Sequence, residues 1–189
     1  YRQIAWCYTL TRSLREKNID TEIENLLDEK ELTYIQSHAN KPLALLQLHT
    51  EDILKLRNEE AVSVFEHLQL DSTLVRLCES MGKAERIKST IFPMTYRLYL
   101  HFIIYIFLVT LSIALIDMTL YFQTPLLLVI SMAFFLLEKT ATYMQDPFDN
   151  KPSDTAMSAI SRTIEINIRQ LLKEKNIPEK HAPNSFYIL

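Results

Sequence analysis

His101 carries the one readily titrated ring inside a stretch, residues 98–137, that is almost free of formal charge, and Asp117 lies near its middle. An imidazole within an apolar span can mark an ion or proton pathway. One turn from an interface, it can equally snorkel or hold a hydrogen bond. Glu138-Lys139 closes the stretch as an interfacial pair, either anchor or relay. Asp146, Asp149 and Asp154 share one loop and could offer oxygen ligands to a hard cation. Their spacing is not that of an EF-hand, and a solvated turn is the plainer reading. Cys7 and Cys78 lack metal-ligand spacing and read as buried free thiols, which suits a reducing compartment. His38, His49, His67 and His181 include no i, i+4 pair, so no metal site is expected. There is no GxSxG elbow, no HExxH and no phosphate loop. Catalytic, cofactor and metal chemistry are all expected to be absent.

The elements around these residues explain more than the residues alone. Residues 98–116 would form a helix ~29 Å long at ~1.5 Å per residue. That length matches a hydrocarbon core roughly 30 Å thick. A second apolar run, residues 120–137, follows the break Asp117-Met118-Thr119. Neither run alternates as a strand does, and helices satisfy their own backbone in lipid. The pair reads as a membrane hairpin, with Pro125 near the start of its second span, where proline is tolerated. Tyr96, Tyr99, Tyr105, Tyr121 and Phe122 resemble an interfacial belt. Lys83, Arg86, Lys88 and Arg97 precede the hairpin, Lys139 and Lys151 follow it, and its tip has no basic residue. The positive-inside rule places both feet of the hairpin in the cytoplasm. The rival reading is a soluble helical domain with one buried hairpin.

The flanks read as helix. Ile4, Trp6, Tyr8, Leu10 and Leu14 suggest a first helix ending near Lys17-Asn18. Asp20 can cap a short helix through Leu26-Leu27, and Asp28 another through Gln36. Asn40-Lys41-Pro42 is a strong start signal. Asn58-Glu59-Glu60 is expected to open the next helix, whose apolar series runs through Val62, Phe65, Leu68, Leu74, Leu77 and Cys78. Ser153 or Asp154 can cap a last helix to about Lys175, along which Met157, Ile160, Ile164 and Leu171 form a partner-facing stripe. The expected fold is all-α: a cytosolic helical bundle over residues 1–92, a transmembrane hairpin over 93–145, and a cytosolic loop, last helix and tail over 146–189.

Composition narrows the function classes. Charged residues make up 23% of the chain, yet they are concentrated in residues 11–90. A formal net charge of −3 argues against nucleic acid as a partner. One glycine in 189 residues excludes Gly-rich nucleotide fingerprints and suits a helical protein. The chain opens at Tyr1, in mid-helix and without an initiator Met, so a further upstream segment is expected.

The segment Glu85-Arg86-Ile87-Lys88-Ser89-Thr90-Ile91-Phe92-Pro93-Met94-Thr95-Tyr96 contains E-R-I-x-x-T-x-x-P-x-x-Y directly before the first apolar span. Asp146-Pro147-Phe148 follows the second span, and Asp154 lies six residues beyond Phe148. Arg162-Thr163-Ile164-Glu165-Ile166-Asn167 comes next. In this order, the strings resemble the bestrophin family, particularly its bacterial branch, with its D-P-F-G loop, its N-D pair and its R-T-I-E-x-N helix. The resemblance runs from the first helix to about Leu172.

What the resemblance implies is a subunit of a homopentameric ion channel in a bacterial inner membrane, multi-pass, passing chloride or other small inorganic ions. Its partners would be its own copies and the lipid bilayer. Such subunits have four membrane helices, of which the first two would lie upstream of Tyr1. The cytosolic constriction maps to Phe92, where the family often has isoleucine, and Pro93 would fix the bend that aims it at the pore. A ring of Phe92 side chains makes a narrow apolar gate able to dewet. The sign of the permeant ion stays open, since some bacterial relatives are thought to prefer cations. Asp149 replaces the family glycine, Lys151 stands where animal members carry an acidic calcium ligand, and Tyr143 where they carry glutamine. Asp154 alone matches their side-chain ligands, so calcium gating of that kind is not expected. The rival function is a membrane-anchored helical scaffold or signalling protein.

Overall fold

The structure, a computed structural model, describes residues 1–19, 21–90, 94–149, 151–152 and 154–180. Its described residues form eight helices and no strand. They are α1 (Arg2–Leu14), α2 (Thr21–Glu24), α3 (Glu29–Gln36), α4 (Lys41–Asn58), α5 (Val64–Ser89), α6 (Met94–Ala114), α7 (Leu120–Tyr143) and α8 (Met157–Leu171). The chain divides into two compact units. The first joins Tyr1–Ser89 to the described residues from Phe148 onward, and the second is Thr90–Pro147.

In the first unit α1 is the central element. Ile4, Ala5, Trp6, Cys7, Tyr8, Leu10 and Leu14 are buried around its whole circumference, with Thr9 and Thr11. A helix apolar on every side belongs inside, and α2, α4, α5 and α8 all pack on it. Trp6, Cys7, Leu10 and Leu14 meet Ile35, Leu45, Met81 and Phe148 in the larger core, while Ile4, Ala5, Tyr8 and Ile23 form a smaller one. The bundle anticipated from residues 1–92 thus also takes in the last helix.

Helix ends follow from local chemistry. Asn40 Oδ1 accepts the Leu43 N–H at 3.0 Å, and Pro42 occupies the first turn of α4. The Asp28 N–H donates to Glu31 across the start of α3 at 3.3 Å. The first helix stops at Leu14, short of Lys17-Asn18. There Glu16 turns left-handed, at φ 54°, and the Lys17 N–H closes back on the Arg12 carbonyl at 2.9 Å. Glu60 and Lys173, each at φ 57°, end α4 and α8 in the same way. Such a cap usually takes glycine; in this glycine-poor chain, charged residues fill it.

Several sequence expectations are corrected. Asn58-Glu59-Glu60 closes α4 instead of opening a helix, because Glu60 terminates it. α5 starts at Val64, behind a reciprocal cap in which the Glu66 N–H donates to Ser63 Oγ (3.2 Å) and the Ser63 N–H to Glu66 (2.8 Å). α5 meets the core from Leu74 onward, through Leu74, Leu77, Met81 and Ala84; Phe65 is 84% exposed. Cys7 is buried, but Cys78 is exposed. α2 ends at Glu24, short of Leu26-Leu27, and Asp20 lies outside the described residues. α8 is preceded by Ala156, with no side-chain cap from Asp154, and ends at Leu171; Ser153 lies outside the described residues. Its stripe splits: Met157 and Ile164 pack on the core, whereas Ile160 and Leu171 are exposed. The buried face is instead built partly of polar groups, Ser161 and Glu165.

The second unit is the helical pair. α6 and α7 are ~32 and ~36 Å long at ~1.5 Å per residue, each enough for a bilayer core of ~30 Å. Both are apolar enough to cross a membrane. Within the structure, 6% of the best window of α6 and none of that of α7 is buried. A core helix of a soluble protein would be mostly covered, so the apolar surface here calls for lipid or further helices. Tyr105 against Phe135 (ring centres 5.7 Å apart) and Phe107 against Phe134 (5.1 Å) zip the pair together. Gln123 Nε2 donates to the Ser112 carbonyl at 3.2 Å near the tip. Pro125 lies in the second turn of α7 and the helix continues through it.

Candidate functional site

The strongest side-chain constellation lies in the seam between α1 and α8. Helical spacing brings Ser158, Ser161 and Glu165 onto one side of α8, and Tyr8, Thr11 and Arg15 onto the facing side of α1. Tyr8 Oη donates to Glu165 Oε2 at 2.7 Å. Thr11 Oγ1 lies 2.8 Å from Ser161 Oγ, and Ser161 Oγ also donates to the Cys7 carbonyl at 3.2 Å. Arg15 Nη1 donates to Ser158 Oγ at 2.8 Å, and Nη2 to the Thr155 carbonyl at 3.2 Å.

Glu165 is 4% exposed, and a carboxylate so placed needs compensation. Arg162 Nη1 and Arg169 Nε each donate to it at 2.9 Å. Arg162 also lies over the Tyr8 ring, 5.7 Å from its centre. Arg169 reaches on to Glu174 at 2.8 Å. Burial works against the charge on Arg169, but the hydrogen bonds it donates to Glu174 and Glu165 outweigh that and hold the guanidinium's pKa above its usual value. The arrangement contains no nucleophile beside a base. It fixes the register and angle of α8 on α1 through these paired side chains.

The loop residues are engaged rather than gathered. Phe148 is buried in the larger core and so ties the start of this segment to the bundle. Asp146 and Pro147 are half-buried. Asp149 pairs with Lys151 Nζ at 2.6 Å, and Asp154 Oδ2 accepts the Lys151 N–H at 2.9 Å. Arg15 sits near the Asp154 carboxylate; burial lowers its pKa and Asp154 opposes that shift. No His/Cys/Asp/Glu group suited to a metal occurs among the described residues.

Glu85 accepts from Asn40 Nδ2 at 3.0 Å, so the residue that caps α4 also ties it to α5. Arg86 and Tyr96 are exposed. Phe92 and Pro93, the expected constriction, lie outside the described residues. In the hairpin, His101 and Glu138 come together, Nε2 to Oε2 3.6 Å apart, while His101 Nδ1 is 2.9 Å from the Arg97 carbonyl. Sequence reading weighed these two separately. It also missed Arg15, and it read Tyr8 only as part of the apolar series of the first helix, not as a hydrogen-bond donor to Glu165.

A model of the family described as bacterial/fungal bestrophin protein matches residues 1–170. A voltage-dependent anion channel-forming protein, YneE, of Salmonella typhimurium strain LT2 is 31% identical over 189 residues, covering 99% of this chain and 62% of the relative. Its Escherichia coli K12 counterpart is 29% identical over 188 residues, covering 99% and 62%. The chain thus spans less than two thirds of the length of these relatives. Among solved structures, a bacterial bestrophin homologue from Klebsiella pneumoniae superposes with a TM-score of 0.85 at 26% identity, over 93% of this chain and 65% of that one.

Proposed function

The chain belongs to the bacterial/fungal bestrophin family, and from that premise we propose that it is a subunit of a homopentameric channel passing chloride and other small anions. The observation that carries this reading is the family match over residues 1–170, joined to relatives whose names state anion-channel formation. Permeation is passive, down the gradient along the symmetry axis, and requires no catalytic group. The uncovered hairpin supports a multi-pass location in the bacterial inner membrane. The basic residues on both its feet put the helical bundle in the cytoplasm.

Phe92 forms the cytosolic aperture, five rings around the axis, and Pro93 sets the bend behind it. An apolar ring of that size opposes ion entry by excluding water. The exposed Phe65, Leu68 and Val75 of α5, with Ile160 and Leu171 of α8, offer apolar surface to a neighbouring subunit. Calcium does not gate the pore through the loop, since Asp149 is neutralised by Lys151, and Asp154 faces Arg15. Chloride flux from proteoliposomes tests the aperture. Phe92→Ala should raise the flux severalfold, whereas an unchanged rate and selectivity would remove Phe92 from the pore.

A further inference from the structure

The geometry points to a proton-operated clasp at the foot of the hairpin: one proton bound between His101 of α6 and Glu138 of α7 draws the two helices together there, and its loss lets them part. His101 Nδ1 lies 2.9 Å from the Arg97 carbonyl. A carbonyl only accepts, so Nδ1 carries the hydrogen, and a neutral ring then turns a bare Nε2 outward. That Nε2 faces Glu138 Oε2 at 3.6 Å. An ionised carboxylate also only accepts. Without a proton between them, two lone pairs confront each other; with one, the same contact attracts. At 3.6 Å the atoms stand at ion-pair distance, outside hydrogen-bond range.

The surroundings confine the effect to this spot. Thr142 Oγ1 donates to Glu138 Oε1 at 3.3 Å and to the Glu138 carbonyl at 3.1 Å, which leaves Oε2 for His101. The Glu138 side chain is 12% exposed and that of His101 33%, so water screens the pair only in part. The other charged groups at this level are Arg97, one turn before His101, and Lys139, next to Glu138. Both are exposed, and neither pairs with Glu138 among the described residues. Toward the tip, Tyr105 on Phe135, Phe107 on Phe134 and Gln123 on the Ser112 carbonyl hold the helices together. Those contacts are aromatic or amide, whereas imidazole is the side chain that changes charge between about pH 5 and 8. Acid therefore closes the foot of the hairpin and base opens it, while the tip stays fixed.

The test is electron spin resonance of the chain in phosphatidylcholine vesicles, with nitroxides on Tyr99→Cys and Thr140→Cys in a Cys78→Ser background. Tyr99 and Thr140 are exposed and Cys7 is buried. A chelator is present, so that no metal ion takes the place of the proton. Dipolar broadening should be strong at about pH 5.5 and weaken by about pH 8, across the range in which imidazole titrates. His101→Gln keeps an N–H donor that cannot titrate, and Glu138→Gln removes the carboxylate; each should flatten this dependence. An identical spectrum at both pH values, or a pH response undiminished in either variant, would overturn the proposal. The readout is a distance and not a current, so it stands apart from the channel reading.

Discussion

Replacing Glu165 by glutamine tests whether the seam between α1 and α8 holds the bundle together. The carboxylate is 4% exposed and accepts from Tyr8 at 2.7 Å and from Arg162 and Arg169 at 2.9 Å each. Glutamine keeps the shape but removes the anion from between Arg162 and Arg169, while Arg169 keeps Glu174 at 2.8 Å, so the cost falls at the low end of the ~3–5 kcal/mol for breaking a buried pair. Taking ~3 kcal/mol, and ~2–4 °C per kcal/mol for a chain of this size, the midpoint should fall by ~6–12 °C. The single tryptophan, Trp6, is packed in the core beside this seam, so its emission reports the loss directly. Tyr8→Phe removes one hydrogen bond to a charged group and should cost ~1.5–3 kcal/mol alone. Combined with Glu165→Gln, it should cost clearly less, with a coupling of ~1 kcal/mol or more. A midpoint lowered by under ~2 °C in Glu165→Gln, or strict additivity of the two changes, would refute the idea that Glu165 organises the seam.

Gly82 lies inside α5, and a Cβ built there meets nothing within 4 Å. Gly82→Ala should therefore stabilise the bundle by ~0.5–1 kcal/mol, read as a higher thermal midpoint. Burial, with Arg2 nearby, lowers the pKa of His49 below its usual 6.5. The unfolded chain then takes up that proton first, so stability is full above about pH 6.5 and is lost as pH falls toward the folded value. Wild type should lose midpoint between pH 7.5 and 5.5, and His49→Gln should lose less. Burial pushes the Cys7 thiol up to about 11, so in a Cys78→Ser background a thiol reagent at pH 8 should label the protein only after denaturation, as read by mass.

The hairpin was legible because forty nearly uncharged residues exceed the usual run of a buried core helix, and its pairing was within reach as well. Positions 101 and 138 lie equally far from the tip near Thr119, as do 105 and 135 almost, and an antiparallel pair must bring such positions together. The face of α8 was misread for a physical reason. Ile160 and Leu171 suggested a stripe by hydropathy, whereas the buried side carries Ser161 and Glu165, whose burial depends on partners on α1 that periodicity does not reveal. Arg15 escaped notice because a basic residue ending a helix reads as a complement to its dipole. The later start of α5 turned on Glu60, a residue with no sequence signature for the left-handed cap it fills. The order of Glu85-Arg86, Asp146-Pro147-Phe148 and Arg162 to Glu165 carried the family, and the structure places several of these residues at the joints of the bundle: Glu85 on Asn40, Phe148 in the core, and Arg162 and Glu165 at the seam.

Current across a planar bilayer containing the purified protein, under a tenfold potassium chloride gradient, addresses the transport claim most directly. An anion-passing pore predicts a reversal potential with the sign of the chloride equilibrium potential, and persistence of the current when calcium is chelated. Reversal toward the potassium potential, or an absence of current with the protein shown to be inserted, would contradict it.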